Sequence, residues 1–415
     1  MRFTTRQLIV GIALTASLHG AFAFVTPSVV GSSKASKSAL DVSTVPRNDG
    51  SGLSYGERSR PFRRNFYTQP DWEKHRSRNR FKGNLLSITR SGVIRQLTNE
   101  VLFITAVATA VWAINCLTAA GYDDLNGVHH EGLLPFFPTL QMPSEFFTFS
   151  SPALSLLLVF KTNTSYGRWD EARKAWGVIV NSSRTILRQG AAWLQETNIP
   201  ERDKIRLIAR LAAAVWCFPR SMTRHVLSAR EDDAAYAEDC RANLRPDLAE
   251  DLIAARHKPT RATYEISCAI NDLPLSDIQK ATLEYSVNQL CDAMGANDRI
   301  LSSPVPLVYT RHLARFLEVW LLMLPLGLWP DFTNSWNHIA MIPITVLLSY
   351  FLLGIEELGV QLEEPFSVLP LHKITSGIGL SAEEHVQWFL NDSAKSEMKT
   401  NSAGSTSPNY QSLSP

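Results

Sequence analysis

The chain has no marked excess of charge of either sign. Its 415 residues include 41 Lys and Arg and 39 Asp and Glu, which leaves a formal net charge of +2. Proteins that bind nucleic acid normally carry a large basic excess, so this balance argues against a nucleic-acid partner.

Cysteine is scarce, and the patterns that mark common catalytic and metal sites are missing. The five cysteines lie far apart without a Cys-x-x-Cys pair, so neither a zinc site nor a disulfide framework is indicated. We recognise no Ser/His/Asp set, phosphate-binding loop or Glu-x-x-His pair in the sequence. We therefore predict that the chain is not an enzyme and holds neither a metal nor another cofactor.

The first 50 residues have the composition of a targeting leader. Arg2 and Arg6 precede an apolar run, Leu8 to Leu18, that is too short to span a bilayer comfortably. The following stretch is rich in Ser and Lys and poor in acids, as transit peptides are. Residues 1–50 therefore resemble the bipartite leader of proteins bound for complex algal plastids. A secretory signal followed by a linker is the alternative.

Four apolar segments organise the remainder. They cover residues 101–120, 146–160, 307–328 and 339–360. We predict four transmembrane helices, of which the second is short for a full span. In residues 161–306 apolar side chains recur at three- and four-residue spacing, which predicts soluble helices. Residues 376–415 are expected to form a C-terminal tail that is disordered toward its end, where Ser, Thr, Asn and Pro dominate.

Charge distinguishes the connecting segments. Residues 51–90 belong to a basic segment, with eleven Lys and Arg and four acids between Glu57 and Glu100. Loop 121–145 has four acids and no Lys or Arg, and loop 329–338 has a single acid. The positive-inside bias predicts that both short loops face one side of the membrane. The termini and the soluble region would then face the other side, which is the stroma in a plastid.

The second apolar segment carries a candidate pore. Ser150-Ser151-Pro152 has the composition of a helix start, whose free N–H groups would suit an anion. Pro152, Leu156 and Phe160 are spaced four apart and therefore share one face of the helix. Around the axis of an oligomer these residues would form stacked apolar rings, which favour anions that dehydrate easily. Contact with lipid or with a neighbouring helix is the alternative.

A dense polar cluster follows at once and predicts that the same helix continues into water. Its key positions are Asn163, Tyr166, Arg168, Trp169, Glu171 and Arg173. Two further phrases stand out: Pro-Val-Pro-Leu-Val-Tyr-Thr at 304–310 and Gly-Ile-Glu-Glu-Leu-Gly at 354–359. Together, the three motifs resemble the bestrophin family of anion channels, in its plant, algal and bacterial branch.

The resemblance implies an all-α membrane protein with a channel domain over residues 91–375. Four transmembrane helices per subunit and a soluble helical region would assemble as a pentamer around a central pore. Pro152, Leu156 and Phe160 would form its neck, and Ser303 and Val305 are the candidates for a second constriction.

The remaining motif residues are expected to be structural. We predict that Glu356 and Glu357 pair with Arg168 or Arg173. Animal members of the family carry a run of aspartates after the fourth span that binds calcium. Here Ser-Val-Leu stands at 367–369 instead, so calcium gating of that kind is not supported.

These expectations together predict a chloride channel of a plastid membrane, the thylakoid in particular. Passive chloride flux would adjust the electrical component of the proton motive force, and the partners would be the lipid bilayer and further copies of the chain. A bicarbonate channel that feeds a carbon-concentrating pathway is one alternative. A non-conducting membrane scaffold is the other.

Overall fold

The computed structural model describes residues 64, 66–88, 91–118, 120–227 and 233–404, with side chains up to Ser393. The predicted leader at 1–50 lies outside them. The described chain is mostly helical. Its helices are α1 (Gln69–Arg76), α2 (Arg80–Leu86), α3 (Gly92–Gln96), α4 (Thr98–Leu117), α5 (Glu145–Gln195), α6 (Glu201–Val226), α7 (Asp233–Asn243), α8 (Pro246–Ala254), α9 (Lys258–Asn271), α10 (Asp277–Ser302), α11 (Leu307–Leu328), α12 (Met341–Glu363) and α13 (Leu371–Gly404).

The chain divides into two units. The first contains the described part of Lys37–Glu171 together with Ser302–Leu369, and the second contains Ala172–Leu301 and the chain from Pro370 onward. Helix α5 contributes its first part to the first unit and the rest to the second. We call these units the membrane unit and the soluble unit, after the character that the sequence predicts for each.

Three helices of the described chain are long and apolar enough to cross a membrane. With adjoining 3₁₀ turns included, they cover Thr98–Leu117, Leu307–Phe332 and Trp336–Glu363. They match the first, third and fourth predicted segments. The second segment, 146–160, is not among them and forms the early part of α5, so the count of four spans stays a prediction.

The membrane unit has its own apolar core. Residues 3, 4 or 7 apart on α4, α5 and α11 point into it, as expected when each helix buries one stripe. Its buried members are Leu97, Val101, Ile104, Phe147, Leu154, Leu158, Leu313, Leu317, Trp320, Leu321, Leu324 and Leu353. Phe147 packs against Gly327, where an added Cβ would lie 2.2 Å from the Phe147 ring. A glycine at this position is therefore what permits the close contact between α5 and α11.

The two short loops of this unit lie together. Loop 121–145 contains a small antiparallel hairpin of β1 (Tyr122–Asp123) and β2 (His129–His130). The Asn337 side chain accepts from the Asp123 N–H at 2.6 Å and donates to the Asp123 carbonyl at 2.8 Å. Both loops are therefore at the same end of the helices, as the charge pattern predicts.

The soluble unit is helical, and α6 is its most deeply buried helix. Ile208, Leu211 and Val215 recur at the three- and four-residue spacing that the sequence shows in this region and are fully buried, and α6 packs mainly against α9 and α13. The chain past residue 376 is not a loose tail, because α13 extends from Leu371 to Gly404. Its Ile378, Ala382, Val386 and Phe389 are buried at helical spacing, before the Ser- and Thr-rich end of the chain begins. Residues 405–415 lie outside the described chain.

Candidate pore-lining site

Helix α5 carries both the predicted neck and the polar cluster on one continuous element of 51 residues. Leu154 and Leu158 are each 2% exposed and face the core, while Leu156 is 55% exposed and Phe160 53% exposed. Pro152 is exposed as well. The three predicted neck residues therefore lie on the surface of the subunit, along the face of α5 opposite to the one that packs.

The expected helix start at Ser150-Ser151 is wrong. Helix α5 begins at Glu145, so both serines and Pro152 lie inside it. The Ser150 hydroxyl donates to the Phe146 carbonyl at 2.7 Å and accepts from the Trp320 indole N–H at 3.1 Å. These bonds hold the Ser150 hydroxyl between a carbonyl of its own helix and the indole N–H of α11. No free N-terminal amides are available at these serines to bind an anion.

A buried ion pair holds α5 against α12. Lys161 is 3% exposed, and its ammonium group bonds to the Glu356 carboxylate. The Lys161 side chain crosses α12 at Gly359, where an added Cβ would lie 3.2 Å from its Cγ and Cε. Glu356 therefore pairs with Lys161 rather than with the predicted Arg168 or Arg173. Charged groups at the ends of two apolar segments could have suggested this pair from the sequence.

The adjacent glutamate, Glu357, has a partner on its own helix. Glu357 is 7% exposed, and it accepts a hydrogen bond of 2.6 Å from the Gln361 amide one turn further along α12. A buried carboxylate needs such a donor, because an unpaired one would lose its hydration without compensation. Glu357 is therefore bonded within α12 rather than to the predicted Arg168 or Arg173.

Arg168 braces the segment that precedes α11. Its Nε donates to the Glu363 carbonyl at 2.8 Å, and its Nη1 donates to the Ser303 carbonyl at 2.7 Å. The Glu363 carboxylate in turn accepts from the Val305 N–H at 3.1 Å. One guanidinium and one carboxylate therefore fix the backbone around the predicted second constriction, a bidentate role for which arginine is suited.

The two candidates for that constriction differ in exposure. Ser303 is exposed, whereas Val305 is 9% exposed and is covered by its own subunit. A residue that lines a pore must present its side chain at the subunit surface. Of the two residues, Ser303 is therefore the better candidate for the second constriction.

The remaining motif residues lie along α5 past the ion pair. Tyr166 is 56% exposed and stacks on Trp169, with ring centroids 5.7 Å apart. Asn163 and Arg173 are exposed, and Glu171 is half-buried. Most of these side chains lie at the surface, so only part of the polar cluster packs against other residues of the same subunit.

Comparison with known proteins gives this arrangement a family. Residues 71–384 match the family described as Bacterial/Fungal Bestrophin protein. The chain belongs to the bestrophin family. The matched range contains all three motifs from which the resemblance was inferred, so that inference is confirmed.

Two relatives and one solved structure are also similar to this chain. This bestrophin is 32% identical over 331 residues to voltage-dependent chloride channel 1, chloroplastic, of Arabidopsis thaliana, covering 80% of this chain and 75% of the relative. It is 30% identical over 399 residues to voltage-dependent chloride channel 2, chloroplastic, of the same plant, covering 93% and 90%. A crystal structure of a bacterial bestrophin homolog from Klebsiella pneumoniae superposes with a TM-score of 0.58. That comparison has 20% sequence identity and covers 70% of this chain and 98% of the other.

Proposed function

We propose that this bestrophin is an anion-selective channel, a pentamer whose neck is lined by Pro152, Leu156 and Phe160. The observation that carries the proposal is the exposure of these residues on one face of α5. An apolar stripe at four-residue spacing, repeated around a five-fold axis, gives stacked rings. Such rings pass anions that shed water easily and can close by dewetting.

The exposed face of α5 favours a pore over lipid. Besides the neck residues, it carries the hydroxyl of Ser155 and the amide of Asn163 at the surface. Polar groups that face hydrocarbon lack water to bond to, whereas those that line a pore remain hydrated. The lower hydropathy of this part of α5, relative to the three candidate spans, has the same explanation.

The path of α5 supports a fourth membrane span. Its N-terminus follows the loop that contacts Asn337, at one end of the unit. Its Arg168 bonds to the carbonyls of Ser303, shortly before α11, and of Glu363, the last residue of α12, both at the opposite end of the unit. At 1.5 Å per residue, the helix rises about 35 Å between Glu145 and Arg168. A hydrocarbon core of about 30 Å fits within that length.

The membrane and the ion are inferred from the relatives and the leader. Two relatives are named as chloroplastic chloride channels, and the leader has plastid-targeting composition. The names of the relatives support a plastid and chloride; within the plastid, we propose the thylakoid as the membrane, with the basic side facing the stroma. Chloride entry into the lumen would dissipate the electrical potential while leaving the pH gradient in place. Immunoblots of fractionated plastid membranes test the location.

A pair of matched variants tests the neck. Phe160→Ala would remove the bulkiest ring, so single-channel conductance in planar bilayers should rise and discrimination among anions should weaken. Phe103→Ala is the control, because Phe103 lies on α4 and is similarly exposed, at 62%. Equal effects of the two variants would refute the assignment. The permeability ratio of chloride to bicarbonate in the same recordings decides between those two ions, and silent pentamers would favour a scaffold.

A further inference from the structure

Three side chains that lie far apart in the sequence meet in the soluble unit. His225 lies at the end of α6, His257 caps the start of α9, and Asp298 lies near the end of α10. Their donor atoms all lie within 4.8 Å of one another. The His225 Nε2 atom is 2.7 Å from one Asp298 carboxylate oxygen, and the His257 Nε2 atom is 3.7 Å from the other. The three residues are separated by 32 and 41 positions in the sequence, which is not the spacing of a recognised metal-binding motif, so sequence analysis did not identify them.

The spacing suits a tetrahedral metal ion. Zinc binds imidazole nitrogen and carboxylate oxygen at about 2.0–2.2 Å, which places neighbouring donors about 3.3 Å apart. The two nitrogen–oxygen distances in the group lie on either side of that value. These distances lead to different oxygens of Asp298, and one donor atom from each residue lies within 4.8 Å of the others, so the three side chains would move closer together around a central ion. Water could take the fourth position, because the three side chains are 28%, 40% and 37% exposed.

The surroundings prepare one imidazole for ligation. The Nδ1 atom of His257 lies 2.7 Å from the Thr260 hydroxyl, and the same ring contacts the His225 ring at 4.7 Å between centroids. The same Nδ1 atom also accepts the Thr260 backbone N–H at 3.3 Å as the cap of α9. Ligation through Nε2 requires the other tautomer, whose Nδ1–H would exchange this cap for a bond to the Thr260 hydroxyl. Such a hydrogen bond on the non-ligating nitrogen is what orients histidines at known metal sites.

We propose that His225, His257 and Asp298 bind one zinc ion, or a similar d-block cation such as cobalt, that ties α6, α9 and α10 together. Two nitrogen donors and one carboxylate select such ions over calcium and magnesium, which require oxygen ligands. The site lies in the soluble unit and does not depend on the channel proposal. It also revises the expectation, drawn from sequence, that the chain binds no metal.

Metal binding to the purified full chain tests the site directly. With a tag that contains no histidine, equilibrium dialysis against zinc chloride should give one ion per chain. His257→Gln and Asp298→Asn should each weaken binding at least about tenfold, and Thr260→Val should weaken it about tenfold through the lost ring contact.

The exposed hairpin supplies the matched control. His129 and His130 also lie beside carboxylates, at 2.8 Å from Asp123 and 3.7 Å from Asp124. The double variant His129→Ala/His130→Ala should keep full stoichiometry. Loss of binding in that variant, or unchanged binding in folded His257→Gln, would overturn the assignment. So would absence of binding to the unaltered chain, which would leave ordinary His–Asp pairs.

Cobalt distinguishes the proposed donors from cysteine. Cobalt in place of zinc should give a tetrahedral visible spectrum without a sulfur charge-transfer band, because nitrogen and oxygen are the only protein donors. Cys268 and Cys291 are free and half-buried, and they lie on two of the three helices involved. A sulfur band would show that these thiols bind the metal, which would contradict the proposal.

Discussion

The buried ion pair between Lys161 and Glu356 shows how strongly α5 depends on α12. Their side chains are 4% and 19% exposed, so each charge is shielded from water and compensated by the other. Removal of one partner of a buried pair typically costs on the order of 3–5 kcal/mol, because the remaining charge is left unpaired. Glu356→Gln should be the more harmful single change, since it strands the more deeply buried ammonium group.

The double variant separates the charge from the packing. Lys161→Met together with Glu356→Gln removes both charges, and replacement of a buried pair by neutral groups of similar volume is often close to neutral. Thermal unfolding of detergent-solubilised protein, followed by tryptophan fluorescence, is the assay. Each single variant should lower Tm by on the order of 5–10 °C. The double variant should recover most of that loss.

A surface pair provides the control for this experiment. Arg241 and Glu250 form a similar bond at 2.7 Å, but their side chains are 57% and 58% exposed. Exposed pairs contribute little because water screens them, so Arg241→Gln should leave Tm unchanged. Single variants at Lys161 or Glu356 that melt like the parent protein would refute the reasoning. So would a double variant as unstable as the sum of the singles.

Three further predictions use the same unfolding assay. The Asn115 side-chain amide bonds the Leu140 N–H at 2.7 Å and the Leu140 carbonyl at 2.9 Å, and Asn115→Leu removes both bonds. Each unsatisfied backbone group costs about 1–3 kcal/mol, so the variant should have a lower Tm than the parent protein. An unchanged Tm would show that water replaces the amide. In Gly327→Ala the added methyl group clashes with the Phe147 ring, which should destabilise the fold by about 1–3 kcal/mol. Adding Phe147→Leu to this variant should restore part of the lost stability. If it restores none, the strain lies elsewhere. Burial raises the pKa of Glu383 above its ordinary value of 4.5, so its carboxylate destabilises the fold as pH rises through that value. Glu383→Gln should therefore be more stable than the parent at pH 7 and equal to it near pH 4, and a gap that persists at pH 4 would contradict this cause.

The sequence predicted those parts of the fold that depend on local patterns. Apolar length identified the spans at α4, α11 and α12, and helical periodicity identified the buried face of α6. Charge in the short loops predicted that they lie on the same side, where the hairpin meets Asn337.

What the sequence did not predict depends on contacts between distant residues. Composition placed a helix start at Ser150, but packing of Phe147 against α11 carries the helix back to Glu145. Pairing of Glu356 with Lys161 depends on Gly359, which lets the lysine cross α12. His225 and Asp298 lie 73 residues apart and meet only in the folded soluble unit. The spacing of neighbouring residues in the sequence does not predict these long-range contacts.

The reversal potential of purified protein in a planar bilayer tests the central claim most directly. Under a potassium chloride gradient, the proposed anion-selective pore should give currents that reverse close to the chloride equilibrium potential. Reversal at the potassium potential would contradict the account. An absence of current from protein confirmed as a folded pentamer would contradict it as well.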